Sequence, residues 1–272
     1  MNVETSAQAR EAPAGDAAVP RLELAEWADR YGMVAGITTR GQPTTPFSLG
    51  LWSDEPVGQV LSRWRAFCAA FAPRFPTVVL SHQVHGTRVD WHEAPPLPNG
   101  WLVLDGLDGH ATAAPGVLLT VTVADCIPVY LAVPQKGAAA LLHAGWRGIA
   151  GGVLARGIES LKWRGFAKAS DIVMHCGVGI CGTCYEVGSE VALRFGVVGE
   201  SAAVHLDLRS ILVDQARGLG VEQISVSPWC TAHDHNQFFS HRASGGRDGR
   251  MVAYLGRPTT GGHPTGRPEG VL

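Results

Sequence analysis

The chain is expected to form a single α+β domain of mixed β-sheets flanked by helices, and three observations lead there. Three apolar runs, Val117 to Val123, Val129 to Val133 and Ala138 to His143, follow one another with only short turns between them, so they read as adjacent buried strands. Elsewhere strands alternate with helical stretches, which mixes β-α-β connections with those hairpins. Finally, 272 residues at 46% apolar and 17% charged content suit one large domain or at most two, and no linker or repeat interrupts them.

Taken in order, residues 1–20 are rich in Ala, Pro and charge, and residues 257–272 in Gly, Pro and Thr. Both are expected to be disordered tails around a domain at 21–256, because neither buries enough apolar surface to offset its ordering entropy. Met33 to Thr39 reads as a strand. Pro56 then opens a helix with Val57, Val60, Leu61, Trp64, Phe67, Cys68 and Phe71 on one face. Thr77 to Leu80 and Trp101 to Asp105 are strands on either side of SHQVHGTRV, and the central trio follows. Ile149, Val153, Leu154, Ile158 and Leu161 recur at helical spacing, and the glycines before and among them favour close backbone approach over helix stability. Ile172 to His175 is a strand and Tyr185 to Phe195 a helix; Asp207 caps another helix, Gly220 stops it, and Val221 to Val226 returns as a strand.

Composition also excludes function classes. A net charge of −2 lacks the basic excess of a nucleic-acid binder, and no run approaches the ~20 apolar residues of a membrane span. Six irregularly spaced cysteines do not make a secreted disulfide framework, and residues 1–20 lack a signal peptide's apolar run. The expectation is a cytoplasmic monomer with no membrane or nucleic-acid partner.

Chemistry concentrates around the central strands. Cys126 follows Asp125 at the end of the first, His143 closes the third before Gly-Trp-Arg-Gly, and His85 lies upstream. Their separations are far longer than those of zinc-finger knuckles, so the fold itself must assemble them. Two imidazoles and a thiolate leave a tetrahedral metal with one open position. Taken alone, His85 reads equally as a structural histidine, and His82 as a surface residue or a neighbour that orients a ligand. Asp105 and Asp108 are turn formers that can also orient a ligand histidine, while Asp125 is either a proton acceptor beside Cys126 or a cap.

The motifs QVHG, DGLDGHAT..PG, TVADCIPVYLA, HAGWRG, CYEVG and FFSHR, in this order over residues 31–256, resemble the YfiH-type (laccase-domain) family of purine nucleoside phosphorylases, once described as polyphenol oxidases. The resemblance implies layered α/β/β/α sheets and a zinc site, with copper as the other possible ion, at His85, Cys126 and His143. It implies phosphorolysis of adenosine, inosine and S-methyl-5'-thioadenosine with phosphate as second substrate, together with adenosine deamination. Cys126, Asp125 and Arg147 are then the catalytic candidates. Arg40, Arg242 and Arg247, with Arg250 in the same Gly-rich loop, are the candidate substrate and phosphate cations; a surface ion pair for Arg147 and a solvated basic turn for the loop remain open. Glu186 would approach the site through CYEVG, and Ser48 stands where the family usually has an Asn.

Two rival classes remain. Relatives of this family have also been read as peptidoglycan-precursor editing amidases, in which zinc-bound water or the Cys126 thiolate would attack an amide carbonyl. Cys181 and Cys184 form a C-x-x-C at the head of the expected Tyr185 helix, which reads as a redox pair, a zinc-holding pair or an oxidisable passive loop. His233-x-His235 suits copper, but one such pair is too few for a multicopper oxidase.

Overall fold

The computed structural model describes residues 11–14, 18–93, 100–164, 168–197 and 203–259. Its first sheet orders the strands Glu11–Pro13, Arg21–Leu24, Val34–Thr38, Met251–Gly256, Val117–Val123, Thr77–His82 and Gly100–Asp105; neighbours are antiparallel up to Val117–Val123, and the last two join in parallel. The second runs Gln223–Val226, Val173–Cys176, Ile127–Val133, Ala138–Ala144, Gly109–Thr112 and Val89–His92, with a parallel pair at each edge and antiparallel pairs between. Both sheets are mixed, as expected.

Strand alternation sets the layers. Leu119 and Val121 face inward between the sheets, where they join Tyr130, Ala132, Ala139 and Leu141. Leu118, one residue along, faces outward with Val78, Val252 and Tyr254 against Val60, Trp64, Phe67 and Phe71 of the helix Val57–Phe71. Leu131 and Leu142 face outward from the second sheet onto Val153–Trp163 and Leu208–Gly218. The order is therefore helix, sheet, sheet, helices. A one-residue register slip would turn Leu118 into the inner core and Leu119 out of it, so three apolar layers together specify the pairing. Truncating Trp64, which is fully buried and donates its indole N–H to the Leu49 carbonyl at 2.9 Å, would cost about 3–5 kcal/mol.

Several elements differ from expectation for local reasons. The helix over Ile149 to Leu161 breaks at Gly152, whose φ of 89° starts a new helix, giving Trp146–Gly151 and Val153–Trp163. The helix expected over Tyr185 to Phe195 shrinks to Ser189–Leu193, because Glu186–Gly188 pairs with Ala203–His205 and buries Val187 against Leu206. Asp207 does cap its helix, accepting from the N–H groups of Arg209 and Ser210.

The largest correction is at the amino end. Glu11–Pro13, placed in the expected tail, is a strand paired with Arg21–Leu24, and Val19 is fully buried. The carboxylate of Glu11 reaches His175 Nε2 and the Ser227 hydroxyl, each at 3.0 Å, so long-range polar contacts hold a segment poor in large apolar residues. At the other end Thr259 donates to the Arg74 carbonyl. Residues 1–10, 15–17 and 260–272 of the expected tails lie outside the described residues. No described helix is long and apolar enough to cross a membrane.

Candidate active site

Three chain segments converge at strand ends. The loop after Thr77–His82 carries His85, the turn after Val117–Val123 carries Cys126, and the end of Ala138–Ala144 carries His143. One donor atom from each lies within 4.8 Å of the others, and the two imidazole rings meet edge to face at 4.8 Å. Close backbone approach makes this possible. A Cβ on Gly145 would lie 2.9 Å from Cys126 Sγ and 3.2 Å from His85 Cδ2, and one on Gly148 would lie 3.0 Å from the Gly86 carbonyl. The glycines of HAGWRG thus let the helix start press against the donors.

Among the described non-glycine residues, positive φ occurs at His85 (58°) and Asp125 (88°). Each such conformation costs on the order of 1–3 kcal/mol and persists only where its surroundings hold it. Asp108 holds the first. Fully buried, it accepts from the N–H groups of Val84, His85 and Gly86 and from His143 Nδ1 at 2.8 Å. With Nδ1 so engaged, His143 presents Nε2 to the cluster. Asp125 is held by Thr231 Oγ1 (2.6 Å), Ser240 Oγ (2.8 Å) and the Arg242 N–H (2.7 Å). Its carboxylate is therefore occupied in bracing the 231–242 segment, which does not suit the expected proton acceptor.

The donors sharpen one another electrostatically. Burial alone would raise the Cys126 thiol, but the charge of His143 and hydrogen bonds from His143 and His85 bring it down to about 6. His143 responds in reverse: burial lowers it, while the Cys126 thiolate and Asp108 outweigh that and raise it to about 9.

A cavity of about 530 Å³ opens over this cluster. Cys126, His85 and His143 form part of its wall, and Arg147, Arg242 and Arg250 supply cations. Arg147 stacks on Trp146 at 4.4 Å and makes no ion pair among the described residues. Arg242 donates to the Glu186 carbonyl and lies over the Tyr185 ring, and Arg250 donates its backbone N–H to Ser48 Oγ. Two expected cations fall elsewhere. Arg40 pairs with Asp248, donates to the His235 carbonyl and stacks on Phe239, so its charge is neutralised outside the cavity lining. Arg247 is exposed and donates to the Ser244 carbonyl. Glu186 is likewise exposed, and its neighbour Tyr185 faces the cavity instead.

The sequence reading missed the aromatic rim. Trp52, 48% exposed, stacks on His82 at 4.9 Å, and His82 Nδ1 meets Asp105 at 2.9 Å. Tyr185 and His241 sat inside the motifs CYEVG and FFSHR, which could have flagged them; nothing in the sequence singles out Trp52.

A single-domain α+β protein with reactive groups gathered at strand ends is the class these features define. The sequence profile of the family described as multi-copper polyphenol oxidoreductase laccase matches residues 34–258, and the chain belongs to this YfiH-type family. A purine nucleoside phosphorylase, YlmD of Geobacillus stearothermophilus, is 34% identical over 248 residues, covering 83% of this chain and 90% of the relative. The crystal structure of YlmD from that organism matches with a TM-score of 0.76 at 30% identity, covering 91% of this chain and 99% of that one. An adenosine deaminase, RL5, of an unknown prokaryotic organism is 32% identical over 199 residues, covering 66% of this chain and 75% of the relative.

Proposed function

We propose that the protein is a purine nucleoside phosphorylase acting on adenosine, inosine and S-methyl-5'-thioadenosine. In this reaction a phosphate oxygen attacks C1' of the sugar. The C1'–N9 bond breaks with its electron pair passing to the purine, which leaves as it takes up a proton. The observation carrying the reading is Arg147, a cation without an ion pair among the described residues, on the wall of the cavity that also holds the donor trio and an aromatic rim. Arg147, aided by Arg242 and Arg250, holds the phosphate, and the stacked Trp52 and His82 offer a flat face to the purine. Relatives named for the same activity support it.

The donor set fits zinc: a thiol already shifted toward thiolate, an imidazole whose tautomer a buried carboxylate fixes, and a third donor whose backbone that carboxylate also holds. His85, Cys126 and His143 are the residues that would hold it, and the bound ion would supply a Lewis acid at the cavity wall; copper suits the same donors. The rest of the chemistry falls to side chains. Asp125 acts by positioning the Arg242 segment.

Adenosine deamination at the same site is a second reading, favoured by the three-donor set, which leaves one side of the cluster facing the cavity. Pure protein incubated with adenosine and phosphate, with products separated by chromatography, tests both. Adenine and ribose 1-phosphate are expected. Arg147→Ala should lower adenine release by roughly 100-fold while inosine formation falls far less, as for loss of one charge-assisted phosphate contact of about 3 kcal/mol. Absence of any purine product, with release of an amino acid from a UDP-sugar–amino-acid precursor, would put the amidase reading in its place.

A further inference from the structure

A second set of soft donors lies outside the cavity. Cys181, Cys184, Cys230 and His233 each present a ligand atom, and all four atoms lie within 4.8 Å of one another. They come from two short segments, Cys-x-x-Cys and Cys-x-x-His, which the fold brings side by side. His233 Nε2 is 3.2 Å from Cys184 Sγ, and its Nδ1 is 3.7 Å from Cys181 Sγ. A tetrahedral zinc with sulfur at ~2.3 Å and nitrogen at ~2.0 Å needs donor separations of roughly 3.5–3.8 Å, so the cluster is already close to the size of a coordination shell.

The backbone supports the same conclusion. Cys181 donates its N–H to Cys230 Sγ at 3.3 Å, and the Thr183 hydroxyl lies 3.1 Å from Cys181 Sγ. The Cys181 carbonyl accepts from the N–H groups of Cys184 and Tyr185, closing the first segment into a tight turn. In the second, Asp234 accepts from the Cys230 N–H and donates to the Cys230 carbonyl. The two segments are joined by a bridge between Gly179 and Cys230 and by the Thr231 N–H to the Gly179 carbonyl. A dithiol redox pair needs two sulfurs and access. Here a third cysteine, only 4% exposed, and an imidazole complete the set.

We propose that Cys181, Cys184, Cys230 and His233 bind a second zinc ion, a structural one, separate from the His85, Cys126 and His143 cluster. On binding, each thiol loses its proton to solvent and four protein donors fill the tetrahedron, leaving no position for substrate. Its place in the fold gives it a task. Cys184 adjoins Tyr185 in the cavity wall, and Cys230 adjoins Thr231, which holds Asp125. One ion would thus clamp together two loops that shape the cavity.

The test uses the full chain purified under reducing conditions without chelator. Elemental analysis should find about two zinc per chain, about one in Cys126→Ser, and about one in the Cys181→Ser, Cys184→Ser double variant. X-ray absorption at the zinc edge of the Cys126→Ser protein should show a shell of three sulfurs and one nitrogen. Because the double variant can fail to fold, alkylation of the unmodified protein gives an independent reading: Cys181, Cys184 and Cys230 should be protected as purified and become reactive after a chelator. Negligible zinc in Cys126→Ser, a sulfur-poor shell, or a Cys181–Cys184 disulfide in the intact mass would each overturn the proposal.

Discussion

Asp108 Oδ1 and His143 Nδ1 stand 2.8 Å apart, with the two side chains only 0% and 3% exposed. The same carboxylate accepts from three successive backbone N–H groups around His85, so a single side chain sets two of the three donors. Asp108→Asn keeps the size but replaces an acceptor oxygen with a donor facing N–H groups. We expect zinc affinity to fall about 10–100-fold, measured by competition with a chromophoric chelator, and stability by about 3 kcal/mol. Unchanged affinity would show that Asp108 serves only the turn.

The thiol of Cys126 should betray its surroundings in metal-free protein. In chelated protein its alkylation by iodoacetamide should rise with pH through about 6, whereas Cys68 and Cys176, raised by burial to about 11 and about 12, stay unreactive at neutral pH. Peptide mapping after short pulses reads each site. A Cys126 midpoint above 8 would remove the thiolate from the description of the site.

His110 makes the fold sensitive to acid. Fully buried, beside His92 at 3.1 Å, it has its pKa lowered to about 3, first by burial and then by the charge of His92, against a smaller opposing pull from Asp108. The folded state therefore stays unprotonated while the unfolded chain takes up a proton below about 6.5, so this group's contribution is full above that pH and is lost as pH falls toward 3. The slope is about 1.4 kcal/mol per pH unit for one group, and His92, also lowered, adds in the same direction. Denaturant melts between pH 4 and 7 should show this slope, and His110→Leu should flatten it.

Glu11 and His175 predict that the amino end is structural. Removing residues 1–14 would strand the buried His175 and Ser227 without their carboxylate, at about 1–3 kcal/mol each. The melting temperature should drop by several degrees, at roughly 2–4 °C per kcal/mol for a domain of this size. A truncated protein that melts with the full chain would refute the docking of this strand.

What the sequence disclosed follows from how each signal is encoded. The helix Val57–Phe71 and the central strands were legible because their apolar periodicity is local. The convergence of His85, Cys126 and His143 was legible because all three stand at or near the ends of apolar runs. Arg40 was misjudged because its partner, Asp248, is brought to it only by the fold. Asp108 stayed open between turn former and partner of a ligand histidine, since nothing local reveals a carboxylate that accepts four hydrogen bonds. The Cys181–Cys184 pair gave no sign of further donors because Cys230 and His233, which the fold brings beside it, lie three described strands and two described helices further along.

Met251–Gly256 lies in the middle of the first sheet, between Val34–Thr38 and Val117–Val123. During synthesis both neighbours leave the ribosome long before the strand that joins them. Until it arrives, each presents an open inner edge lined with apolar side chains, the kind of surface that pairs with other chains. A nascent chain stalled before Met251 should thus remain protease-sensitive across Val34–Thr38 and Val117–Val123. For this protein the hazard of aggregation is expected to fall within translation itself, because the two inner edges find their partner only with the last described strand.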